Sequence, residues 1–96
     1  MKKVDFILNN KDEFLRFLKS KFILIHNSNI FFRDFHYGIM SFLDEHGMKT
    51  KYQEAEKIAS EVGNIFEQLK IFKRIDHQTW TLNFPEFVLP RKNKAA

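Results

Sequence analysis

The chain has no cysteine, only three glycines and two prolines, and each scarcity removes a class of explanation. Without cysteine there is no disulfide framework and no thiolate nucleophile or ligand. A chain of 96 residues must then stand on an apolar core or on a partner, and it reads as intracellular. The glycines at 38, 47 and 63 form no phosphate-cradling loop. Long apolar runs are missing too. The uncharged stretch Phe22 to Phe32 is broken by His26, Asn27, Ser28 and Asn29, well short of the roughly 20 apolar residues of a membrane span. Phe6-Ile7-Leu8 is too short for the apolar part of a signal peptide. A cytoplasmic chain without membrane contact is the expectation.

Catalytic constellations are equally scarce. His26, His36, His46 and His77 stand singly, with no metal-binding spacing. Asp34-x-His36 and Asp44-Glu45-His46 place their members on different helix faces and read as surface polar residues. Ser20, Ser28, Ser41 and Ser60 lack a nucleophile-elbow context. We expect no enzyme, no cofactor, no metal and no small-molecule substrate. Net charge is +4, but Lys2, Lys3, Arg91, Lys92 and Lys94 supply +5 from the two ends, and positions 4–90 hold 11 basic against 12 acidic residues. The body is nearly neutral. Residues 1–90 are expected to form one domain and 91–96 a basic, disordered tail.

What is abundant is phenylalanine, with twelve, beside one Trp and two Tyr. Phe14, Leu15, Phe17, Leu18 and Phe22 recur at helical spacing after Asn10 and Glu13, which stand at a capping-box distance. The apolar Phe22–Ile25 is expected to finish this first helix, with a short buried strand as the alternative. Phe31, Phe32, Phe35, Ile39, Phe42 and Leu43 mark a second helix that Gly47 stops. Thr50 and Gln53 repeat the capping spacing, and the stripe from Tyr52 to Leu69 makes the longest helix, with Gly63 inside it at a close approach or a kink. From Ile71 the period becomes two. Ile71–Ile75 and Trp80–Phe84 read as a hairpin around Asp76-His77-Gln78, with Trp80 and Phe84 facing the core and Thr79, Thr81 and Asn83 facing out. Pro85 and Pro90 bracket PEFVLP, expected to run extended. The expected fold class is α+β, mostly helical, with three helices followed by a C-terminal two-stranded β-hairpin.

Over residues 30–84 that order, a helix, the turn HGMKT, a longer helix and the Trp-bearing hairpin FKRIDHQTWTLNF, resembles a winged-helix domain. The resemblance implies a third helix, 51–70, that enters the major groove and a wing, 73–79, that touches backbone or minor groove. Carried onto this chain, it nominates Gln53, Asn64, Lys73, Arg74 and His77, with Arg91, Lys92 and Lys94 of the tail. The chain departs from a DNA-binding pattern in its third helix, whose non-core positions carry three basic and four acidic residues. A non-catalytic binding module is therefore expected first to engage a protein partner or a second copy of itself. Its aromatic face would comprise Phe31, Phe32 and Phe35, with Phe87 from the C-terminal segment. Weak DNA binding is the alternative.

Overall fold

The computed structural model describes residues 2–22 and 24–87. It is α+β and mostly helical, in the order α1 (Lys2–Asn9), α2 (Lys11–Lys21), β1 (Asn29–Phe31), α3 (Phe32–Glu45), α4 (Tyr52–Gln68), β2 (Phe72–Asp76) and β3 (Thr79–Leu82), closed by a 3-10 turn at Pro85–Phe87. The expected helices and hairpin are present as α2, α3, α4 and β2–β3. Two elements were not anticipated. Helix α1 buries Val4 and Ile7, and β1 turns the hairpin into a three-stranded antiparallel sheet of order β1-β3-β2.

Strand β3 is therefore central, with Ile30 opposite Trp80 on one side and Arg74 opposite Trp80 on the other. This explains why Thr79, expected on an exposed face, is buried. Between Arg74 and Asp76 the register shifts around Ile75. Such a bulge spoils the free edge of β2 as a template for another strand. The side chain of Asp76 accepts the Gln78 N–H at 2.9 Å, which closes the hairpin turn.

The core is a stack of aromatic rings meeting mostly edge to face, the arrangement their quadrupoles favour. Phe14 lies 5.8, 5.1 and 6.3 Å from Phe35, Phe42 and Phe66, and Trp80 lies 5.3 and 4.9 Å from Phe35 and Phe72. Trp80 is 1% exposed, as its alternation implies, while Phe84 is half-buried against the same core. Gly63 makes the close approach, and it is to the Trp80 indole, not to another helix.

Several local expectations need correction. Helix α2 ends at Lys21, and Phe22 is already extended, with φ −131° and ψ 164°. The Asn10 side chain does not cap α2 but donates to the Phe6 carbonyl at the end of α1, at 2.8 Å. Thr50 bonds the Met48 carbonyl and leaves Lys51 as the uncapped start of α4. PEFVLP does not run extended at its start. Pro85–Phe87 makes a 3-10 turn because His26 grips both of its ends: its Nδ1 accepts the Phe84 N–H at 3.0 Å, and its own N–H donates to the Phe87 carbonyl at 2.8 Å. Residues 88–90 lie outside the described residues. Among the described residues no helix is long and apolar enough to cross a membrane.

Candidate nucleic-acid interface

Of the four residues expected on an aromatic interface, two are not on the surface. Phe35 is buried in the ring stack, and Phe87, 6% exposed, is covered by its own domain with the Lys19 ammonium 4.8 Å above its ring. Phe32 is half-buried against Trp80 and His36. Among the twelve phenylalanines Phe31 alone is exposed, at 52%. The surplus that suggested a self-association face is absorbed within one chain, because α1 and β1 add cover that three helices and a hairpin would lack.

Helix α4 presents the other candidates. Its buried residues Ala55, Ile58, Ala59, Val62, Gly63 and Phe66 define one side. At 100° per residue the direction opposite them is held by Gln53, Lys57, Asn64 and Gln68, all exposed, with Ser60 and Glu61 equally offset on its two sides. No acid stands in this row. Glu54 and Glu61 fall on one flank, and Glu56 and Glu67 on the other. Two of these four are engaged inside the domain. Lys3 of α1 reaches Glu54 at 3.2 Å. Glu67 Oε2 accepts from Arg74 Nη2 and Nε at 2.8 and 2.9 Å and from the Trp80 indole N–H at 2.8 Å. Partial burial pushes the Glu67 carboxyl up, but the Trp80 and Arg74 donors outweigh it and hold the group below its ordinary value. At the hairpin turn, the Gln78 N–H, then the Thr79 hydroxyl, hold Asp76 low as well.

The start of α4 is tied down through His36. This side chain is buried, and its Nε2 lies 3.0 Å from the Tyr52 carbonyl, so Nε2 carries the proton and donates. Exposed Tyr37 and Tyr52 flank it, with the Arg33 guanidinium 5.8 Å from the Tyr37 ring centroid. Lys49 and Lys51 precede the helix on the surface. On the hairpin Lys73 and His77 are exposed. Arg74 is occupied, since besides Glu67 it donates to the Asp76 carbonyl at 2.9 Å and lies 5.2 Å from the Trp80 ring centroid. It braces the hairpin and is not poised for a phosphate. Arg91, Lys92 and Lys94 lie outside the described residues.

The structure thus gathers Gln53 and Asn64 into one row, sets Lys73 and His77 on the neighbouring hairpin and withdraws Arg74. Sequence reasoning missed Lys57, Ser60 and Arg33. Projecting α4 on a helical wheel finds the first two, whereas Arg33 depends on where α3 begins. Among the described residues no group of three His, Asp or Glu side chains gathers as a metal site. Compared with protein-family models, curated proteins and solved structures, the chain has no match.

Proposed function

We propose that this chain is a non-catalytic winged-helix module that binds duplex DNA through α4, with the β2–β3 hairpin as its wing. Support for the fold reading is the order helix, turn, helix, hairpin, with β1 clamping the hairpin to the start of α3. The observation that carries the DNA reading is the outward row of α4, Gln53, Lys57, Asn64 and Gln68, bordered by Ser60 on one side and Glu61 on the other. Gln, Asn and Ser donate and accept at base edges, and a lysine adds phosphate attraction. In helix-turn-helix proteins generally the second helix of the pair meets the major groove.

Affinity is modest, because the basic groups around the row are few. If Lys49, Lys51, Lys57 and Lys73 each neutralise one phosphate, the logarithm of affinity falls with a slope of about −3.6 against log salt, or roughly a hundred-fold between about 50 and 200 mM. Fluorescence anisotropy with short duplexes of varied sequence tests this. Lys57→Glu should weaken every complex and flatten the slope, and Asn64→Ala should weaken preferred sequences selectively. Binding that ignores both changes, or no binding at about 50 mM salt, overturns the proposal.

A second reading, association with another copy or a protein, keeps the support of the exposed rings Phe31, Tyr37 and Tyr52. Light scattering separates it. A stable dimer that leaves DNA unbound would put this reading first.

A further inference from the structure

Beside the outward row of α4 lies a groove of about 340 Å³ between that helix, the hairpin turn and the start of α3. Phe31, Phe32, Arg33, Glu56, His77 and Gln78 line it, and Ser60 at the border of the row completes it. Phe31 is held firmly: its backbone pairs with Thr79, and the next residue's N–H donates to the Gln78 carbonyl at 2.8 Å. The ring nevertheless stands out into water, the one such phenylalanine of twelve. An apolar ring kept exposed and rigid beside polar groups is suited to a flat partner that also needs hydrogen bonds.

We propose that this groove takes up a single unpaired, amino-bearing nucleobase, stacked on Phe31, from a strand whose paired part lies along α4. This rests on the DNA-binding reading above and adds the class of site that the domain prefers. Every nucleobase offers a π-face to an aromatic ring, and stacking of this kind is sequence-tolerant. The groove's edge chooses among bases. The Glu56 carboxylate accepts only, so it favours the exocyclic amine of cytosine, adenine or guanine and disfavours a thymine carbonyl in the same place. Arg33 and His77 are placed for the flanking phosphates. On a fully paired duplex Glu56 is a liability, whereas with an extruded base in the groove it has a partner. Peptide side chains of similar size would also fill the space, but the acceptor and donors around a single ring fit a heterocycle edge, and the adjoining row is already suited to nucleic acid.

The test uses the full chain and four short duplexes carrying one bulged C, A, T or G, beside the same duplex fully paired, read by competition anisotropy. Bulged C, A or G should bind about ten-fold tighter than the paired duplex, within the range that one base stacked on an aromatic provides. Phe31→Ala should erase that preference and leave paired-duplex affinity unchanged, which also separates stacking from a general liking for flexible DNA. Glu56→Gln should narrow the gap between bulged C and bulged T. Equal affinity for bulged and paired duplexes, or a preference that survives Phe31→Ala, overturns the groove proposal while the duplex reading stands. A chain that binds none of the duplexes overturns both.

Discussion

Gly63→Ala is the change that most directly tests the core. A methyl group at this position would lie 2.6 Å from Trp80 Cζ2 and 2.9 Å from Cη2, where unstrained carbons keep about 3.5–4.0 Å apart. Ring or helix must retreat by roughly an ångström. The ring has little freedom to do so: Glu67 holds its N–H at 2.8 Å, Arg74 covers it, and Phe35 and Phe72 press on it with centroids 5.3 and 4.9 Å away. Alanine would improve helix propensity by about 1 kcal/mol, while overpacking costs about 1–3 kcal/mol. We expect the clash to win by up to about 2 kcal/mol, a fall of up to roughly 15 °C in Tm for a domain of this size. Circular dichroism melts read this, and a double-mutant cycle isolates the cause. In a Trp80→Phe background Cζ2 and Cη2 are gone, so Gly63→Ala should become neutral or stabilising, a coupling of about 1–3 kcal/mol. At Gly38 the obstacle is Leu18 Cδ2, the end of a side chain that can rotate, and the cost should be smaller. If Gly63→Ala costs the same with either residue at 80, the indole is not what requires glycine.

Two other perturbations follow from the polar contacts. His46 Nδ1 lies 2.9 Å from the Phe42 carbonyl and Nε2 lies 3.2 Å from Glu13, so both ring nitrogens face acceptors. The α3 carbonyl first, then Glu13 and Glu45, raise its pKa above the ordinary 6.5 against some desolvation. A raised folded value means stability that is complete below that ordinary value and lost as pH rises through the folded one. Relative to His46→Gln, the wild-type Tm should therefore fall as pH rises above 6.5, and parallel curves would refute the stabilising role of the protonated ring. Glu67→Gln removes the anion shared by Arg74 and Trp80 and should cost about 1–2 kcal/mol. It should also free Arg74 for DNA, raising affinity and steepening the salt slope by about one phosphate. A lower affinity would mean that the Glu67-braced hairpin geometry matters more than the released charge.

Long periodic segments were the legible part of the fold. The stripe from Tyr52 to Leu69 needs no context to be seen as a helix, and the switch to period two after Ile71 marks the hairpin equally well. What escaped was short. Helix α1 has two turns and buries only Val4 and Ile7, too few repeats for a period to emerge beside Asn9 and Asn10. Strand β1 has three residues and runs directly into α3, so Phe31 ends a strand where spacing alone assigns it to a helix. The capping residues misled for a related reason. Asn10 and Thr50 each had two backbone partners within reach, and spacing cannot say that a carbonyl behind would win over an N–H ahead. Gly47 was legible because a φ of +77° is open to glycine at little cost.

For the candidate site the decisive quantity was direction, which a tally of charges discards. Over positions 51–70 the three basic and four acidic residues would repel DNA as a set only if all seven shared a face, and they do not, although within α4 itself Lys57 is the one basic residue beside four glutamates. The apolar side fixes the opposite row, and that row holds Gln53, Lys57, Asn64 and Gln68, with Ser60 and Glu61 on its two borders. Glu54 and Glu67 carry structural duties, one tying α1 to α4 and the other tying α4 to the hairpin through Arg74 and Trp80. Each such pair neutralises a glutamate of α4 while joining elements distant in sequence. The same accounting leaves Glu56, alone among the acids on the hairpin side of α4 in having no ion-pair partner among the described residues. It is the acid that lines the Phe31 groove, where an acceptor has a use.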